Sequence, residues 1–348
     1  MRIEENLIRY AVKAWNGARP VPTDVTIEVN EFGIAVEDDK AHGEDGTLYQ
    51  SYCPTCDCFF TELVVPKQYP RPTCNLCGNP LVRAWYATVF KEYLDKSYDL
   101  ALSSGCQKLT WLPWVGSQFA GHQIFVAGES HYINKETYFF GQPAIEDWLD
   151  DPWATRETHA EYPILGPDDA GWKNNAGRGG NSFHDNLLKI LVGDSLVRTR
   201  DDIVRRMKFW NSLAFANLVQ RPLVKVSGVS EEKPQVPDRR DGWEAMIHVI
   251  EILKPRLCIF AGVFAAGAFA EPKTIRLLNA QNVKFDLESG PAIDGCYLRF
   301  GTLDIRGFKV PMVFIQHPSR CSSTWSSWRA LLLDRVPWLK AEIDSILA

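Results

Sequence analysis

In the second half of the chain, short apolar runs rich in β-branched and aromatic residues alternate with stretches whose apolar positions recur at helical spacing. The runs are Gln123–Ala127, Ser212–Val219, Leu257–Ala261 and Met312–Ile315. Continuous apolar runs of this length suit strands covered on both faces. Their alternation with amphipathic helices predicts an α/β fold, a doubly wound and mostly parallel four-stranded sheet flanked by helices. The clearest helix is Gly242–Lys254, where Trp243, Met246, Ile247, Ile250 and Leu253 share one face. Asp241 is placed to cap it and Pro255 to stop it. A further helix runs from Ser182 through Val192 and ends at Gly193.

The first part of the chain reads differently. Residues Leu7–Trp15 suit a short helix, Val25–Val36 alternates like strand material, and Ala84–Leu102 suits an aromatic-rich connecting helix. Between them, from about residue 49 to 81, lie Cys53-x2-Cys56 and Cys74-x2-Cys77, separated by seventeen residues. Two such pairs fold into opposed knuckles that present four thiolates tetrahedrally, the geometry of structural zinc. Four thiolates can also hold an iron–sulfur cluster. With all four ligands supplied by the protein, the module is expected to fold or dock rather than to catalyse. The expected organisation is an N-terminal region, 1–120, carrying the zinc ribbon, followed by the α/β domain, 121–348.

Composition narrows the class. At 348 residues, 45% hydrophobic and 23% charged, the chain is that of a globular protein. No apolar run approaches the roughly 20 residues that cross a bilayer. The start, Met1-Arg2-Ile3-Glu4-Glu5, lacks a signal peptide's apolar stretch. A cytoplasmic location with no membrane contact is expected, where clustered thiols stay reduced and bind metal. The net charge of −5 gives no support to nucleic-acid binding. Locally, however, Arg198, Arg200, Arg205, Arg206, Lys208, Arg221 and Lys225 stand against only Asp201 and Asp202. That stretch is either a phosphate track or a solvated helix face.

The strand ends locate a site. The first run leads into Gly128-Glu129-Ser130-His131-Tyr132, the second ends near Asn217, the third at Gly262, and the fourth at Gln316-His317-Pro318-Ser319. Ligands of open parallel sheets bind beyond the carboxyl ends of the strands, so these polar groups should converge on one crevice.

These stretches, in this order, resemble the uracil-DNA glycosylase superfamily, nearest its iron–sulfur bacterial and archaeal branch. Ile124 through Tyr132 is similar to the first motif, Ala216 through Pro222 to the strand end whose Asn reads the base, and Phe314 through Ser319 to the closing His-Pro-Ser motif. Trp243 through Gly267 is similar to the helix–strand unit between them. The resemblance spans about 121–340. It implies a glycosylase that flips a base out of DNA and hydrolyses its N-glycosyl bond, with no organic cofactor. By resemblance His317 would donate to the departing base, and Asn217 would read its edge. Gly128, Ser130 and Tyr132 would line it, and Phe183 would stack on it. Glu129, helped by His131, would hold the water. Ser319, Arg320, Ser322 and Ser323 would meet the DNA backbone and minor groove.

The chain departs from the family at three points. Many members carry an Asp in the first motif, absent here, and the nearest branch has Pro-Gly where this chain has His131-Tyr132. Its cysteines are also more compactly spaced than that branch's cluster ligands. Relatives that attack modified bases in phage DNA suggest uracil or a bulky pyrimidine, such as glucosylated hydroxymethylcytosine, as substrate. The 49 residues between Tyr132 and Ser182 bear on that choice, since Arg156, Lys173, Asn174 and Asn175 could bond a sugar on the base. Two other classes fit as well, a non-catalytic DNA-binding adaptor and a nucleoside hydrolase. Each candidate also has a plainer reading: a structural hydrogen bond for His317 and Asn217, and core packing for Phe183.

Overall fold

The protein is described by a computed structural model, which covers residues 28–29, 35–36, 42–43, 46–64, 74, 76–78, 82–83, 91–134, 153–159, 182–194, 196, 200–226, 230–262 and 264–348. The chain divides into two compact units, Met1–Tyr93 with Glu136–Trp153, and Leu94–Lys135 with Ala154–Ala348.

In the first unit, the strand material expected over Val25–Val36 contributes β1 (Glu28–Val29) and β2 (Ala35–Val36), which pair antiparallel. A second sheet joins β3 (His42–Gly43), β4 (Gly46–Cys53) and β5 (Cys58–Val64) in that order, with β6 (Val82–Arg83) also pairing with β4. The helix expected over Leu7–Trp15 lies outside the described residues.

The second unit is built on a seven-stranded sheet. Its strands are β7 (Trp114–Val115), β8 (Ile124–Gly128), β10 (Leu213–Asn217), β13 (Leu257–Ala261), β14 (Val283–Ile293), β15 (Cys296–Ile305) and β16 (Phe308–Ile315), in the order β14-β15-β16-β13-β8-β10-β7. The central four, β16-β13-β8-β10, are mutually parallel and coincide with the four apolar runs. The expected four-stranded sheet is therefore corrected to seven, by an antiparallel hairpin on one side and β7 on the other. A small separate sheet places β9 (His131–Asn134) beside β11 (Pro222–Val226) and β12 (Ser230–Glu231).

The helices of this unit are α1 (Asp99–Ser103), α2 (Phe119–His122), α3 (Ala154–His159), α4 (Ser182–Leu191), α5 (Arg200–Asn211), α6 (Val236–Leu253), α7 (Phe264–Gly267), α8 (Pro272–Ala280), α9 (Trp325–Arg335) and α10 (Trp338–Leu347). One face of the sheet carries α6 and α8, where Trp243 meets Phe260 and Phe269 at ring-centroid distances of 5.0 and 4.6 Å. The other carries α4, α5, α9 and α10. Burial on both faces explains why the central strands are continuously apolar.

Two helix ends differ from expectation. Helix α6 starts six residues before Gly242, because Gln235 and Asp238 form a capping box; Asp241 lies inside it and pairs with Lys108. The connecting helix expected over Ala84–Leu102 is interrupted. Asp95 accepts a bond from the Ser97 amide at 2.9 Å and gives its own amide to Val115, so a bridge at Leu94 replaces the helical ladder. Helix α4 ends as expected at Gly193, which takes φ +97°. No helix among the described residues is long and apolar enough to cross a membrane.

Candidate functional site

The carboxyl ends of β8, β10, β13 and β16 bring Gly128, Asn217, Gly262 and His317 to one edge of the sheet. Asn217 lies in register with Gly128 on the neighbouring strand. A Cβ built at position 128 would sit 2.2 Å from Asn217 Oδ1, so only glycine leaves this amide its place. Asn217 is 4% exposed, and its side chain makes no hydrogen bond among the described residues. Its backbone is fixed instead: Gln220 Nε2 donates to the Asn217 carbonyl at 2.5 Å, while the Leu218 and Val219 amides donate to the carbonyls of Gly128 and Glu129.

Glu129 packs against Gly262, where a Cβ would approach its Oε2 to 3.4 Å. Burial holds its carboxyl above the ordinary carboxylate range, partly opposed by the positive charge of Arg320. Ser130 Oγ is buried and has no partner among the described residues. The edge is thus lined by polar groups that the fold itself does not use.

His317 opens a short 3-10 turn, Pro318–Arg320. Its Nδ1 lies 2.7 Å from Ser319 Oγ, and its ring centroid is 5.1 Å from that of Phe183 on α4. Phe183 in turn lies 6.2 Å from Phe215 of β10. The turn is held from behind. Asn186 Nδ2 donates to the Pro318 carbonyl at 2.9 Å, and Trp328 Nε1 to Gln316 Oε1 at 3.1 Å. Sequence reasoning missed Asn186, whose signal is a polar residue on the apolar face of α4. Ser319, Arg320, Ser322 and Ser323 are exposed at the mouth.

His131 goes elsewhere. It is buried, with its ring 5.0 Å from Trp111 and its Nε2 3.2 Å from Thr155 Oγ1. Behind Phe215 lie two more buried histidines. His159 stacks on Phe215 at 4.7 Å, and His184 lies 5.9 Å from His159. Burial lowers the pKa of His131 to about 4 and that of His184 to about 3, and it carries His159 well below the ordinary histidine value. These imidazoles are neutral at pH 7. The side chain of Tyr132 lies outside the described residues.

Neither a family model nor a curated protein matches the chain.

Arg156, expected to meet a sugar on the base, is fully buried. It donates from Nε to the Pro113 carbonyl and forks onto both Asp99 oxygens at 3.0 and 2.6 Å. That pairing corrects the expectation, because the guanidinium has no face left for a ligand. Lys173, Asn174 and Asn175 lie outside the described residues.

In the first unit, the sulfurs of Cys53, Cys56, Cys74 and Cys77 all lie within 4.8 Å of one another. The Cys53–Cys77 and Cys56–Cys74 separations are 3.6 and 3.9 Å. An ion bound tetrahedrally at a metal–sulfur distance of about 2.3 Å needs thiolates roughly 3.8 Å apart. The donor set therefore fits one metal ion. A multi-iron cluster would need wider spacing, with iron and sulfide between the thiolates. The knuckles close through Gly78, at φ +74° with its amide on the Cys74 carbonyl, and through the Cys56 amide, which donates to Cys53 Sγ. Asp57, at φ 52°, accepts from Tyr52 and pairs with Lys91.

Proposed function

We propose that the chain is a monofunctional DNA glycosylase that rotates a pyrimidine nucleotide out of DNA and hydrolyses its N-glycosyl bond, leaving an abasic site. The observation that carries this reading is the pairing of His317 with Ser319 beside Phe183, at the same sheet edge as Asn217 and Glu129. Ser319 has one hydroxyl proton. Donated to Nδ1, it leaves the imidazole proton on Nε2, the tautomer that can donate to the carbonyl of a departing base. Negative charge builds on that base as the C1′–N bond breaks with its electron pair. A donor aimed there lowers the barrier. Phe183 supplies a ring face for the extruded base, and the unpartnered amide of Asn217 reads its edge. Water then adds to C1′, and Glu129 takes its proton. With the Ser319 proton committed to His317, backbone amides of the turn and Arg320 meet the phosphates.

The family resemblance agrees with these roles with two exceptions: His131 supports the first-motif turn from the core and does not share the water with Glu129, and Ser319 gives its proton to His317 rather than to a phosphate. The substrate is uracil or a bulky modified pyrimidine, and an anti-phage role follows from the latter. The four cysteines hold zinc as a folding element, which elemental analysis at about one zinc per chain would check. Incubation with duplexes carrying uracil or glucosylated hydroxymethylcytosine, followed by alkali, should give strand cleavage at the modified base. If no base is released from any DNA while DNA is still bound, the chain is an adaptor.

A further inference from the structure

Strands β14 and β15 form a hairpin longer than the sheet needs. Pairing of β15 with β16 is in register from Ile305↔Phe308 to Arg299↔Phe314. Carried on at the same register, Tyr297 comes level with Gln316, and the connecting turn stands beyond the sheet edge. That turn is the two-residue Asp294-Gly295 link between Ile293 and Cys296, with φ of 50° and 75°. Two positive φ values make it the type that matches strand twist and stiffens a hairpin. The tip lies beside the His317 turn. The Cys296 thiol, raised chiefly by burial, is within reach of the charges of Arg299 and Arg320, and the Cys321 thiol is within reach of Asp294.

Three side chains here have no structural employment. Tyr297 is 54% exposed at the start of β15, just past the turn, with no ring contact or hydrogen bond among the described residues. Arg299 and Arg320 make no ion pair among the described residues, whereas Arg156, Arg221, Arg256 and Arg306 each pair with a carboxylate. Meanwhile the turn after Ser319 consists of Arg320, the buried Cys321, Ser322, Ser323 and Thr324, so it has no exposed apolar side chain of its own.

We infer that the hairpin tip is a duplex-DNA contact, in which Tyr297 enters the gap left in the base stack by the extruded nucleotide while Arg299 and Arg320 hold phosphates on either side. Tyr297 can act this way only if the chain handles DNA as proposed above, and the role then makes double-stranded DNA the preferred substrate. Rotating a nucleotide out costs stacking energy, and a ring inserted in its place offsets part of that cost. A single strand has no such gap to fill.

The test uses the full chain and fluorescence anisotropy. The probes are a duplex containing a stable abasic-site analogue and the same labelled strand alone. Wild type should bind the duplex more tightly. Tyr297→Ala should weaken duplex binding about 10-fold, the scale of one lost ring–base stack, and leave single-strand binding within twofold. Tyr297→Phe should restore the duplex value. Arg299→Gln should weaken duplex binding and flatten its salt dependence. Equal duplex affinities for wild type and Tyr297→Ala, or equal losses on both probes, would overturn the inference and leave the glycosylase reading standing. A wild type that binds neither probe would overturn both.

Discussion

His317 and the buried trio of His131, His159 and His184 are the same side chain in two environments. His317 sits half-buried on a turn, its Nδ1 engaged by a neighbouring hydroxyl and its ring against Phe183. The trio is enclosed by Trp111, Trp114, Trp210 and Phe215, and its pKa values are driven far down by burial. An imidazole acts as a donor to a ligand when its orientation is fixed and one nitrogen faces the ligand. Enclosed in aromatic rings, it packs as a small, neutral, polar plug. Neighbouring sequence does not separate the two cases, since His131 sits in the first-motif turn as His317 sits in the last.

The sharpest way to break this contrast is to remove each ring. On the proposed mechanism, His317→Ala should slow base release by roughly 100- to 1000-fold, the scale for one anion-stabilising donor, with the melting temperature unchanged. His131→Ala should act in the opposite sense, lowering the melting temperature and sparing the rate of base release by whatever folded protein remains. Comparable loss of kcat from both variants at full folding would erase the distinction.

The second effect is on stability against pH. Above about pH 6.5 neither folded nor unfolded chain protonates the trio. As pH falls, the unfolded chain takes up protons at its ordinary histidine pKa, which folded His131 cannot match until about pH 4. Stability is therefore lost between about pH 6.5 and 4, on the order of 3 kcal/mol for this one residue. Denaturant unfolding at pH 7.5, 6 and 5 checks it, and a flat profile would mean the trio is solvated. On the proposed mechanism activity should also fall as pH falls, since Glu129 must be ionised to take a proton and burial raises its pKa.

A smaller change follows at His159. Neither ring nitrogen has a partner among the described residues. His159→Phe should therefore be neutral or stabilising by about 1 kcal/mol, and should reduce the acid sensitivity. Smallest in stability but informative for the site, Gly128→Ala should displace the Asn217 amide and relax base selectivity while leaving the sheet folded.

The sequence made the central strands legible because burial on both faces leaves a continuous apolar signature, as in Leu257–Ala261 and Leu213–Asn217. The two cysteine pairs were equally plain, since their spacing is set by the knuckle itself. The antiparallel additions were not seen. In β14 and β15 exposed and half-buried residues alternate irregularly, and Gly301 is there only because a Cβ would strike the Asp286 carbonyl. Their local signals were the two turn pairs with glycine second, Asp294-Gly295 and Arg306-Gly307. Within the site, Asn217 and His317 fell on the expected edge because strand ends converge by topology, while Phe183 reaches His317 from the start of α4. Arg156 and His131 were misassigned because their partners, Asp99 and Trp111, are remote in sequence and meet them only in the fold.

Strand β14 ends the sheet, and an outermost strand of eleven residues would ordinarily be a template for another chain. Here Lys284, Asp286 and Glu288 are exposed along it, and the register shifts between Ser289 and Ala292 across Gly290 and Pro291. Adding a strand from a second molecule would have to desolvate alternating charges and bridge a proline that offers no amide hydrogen. The hairpin can therefore project from the molecule at high concentration without seeding edge-to-edge aggregation.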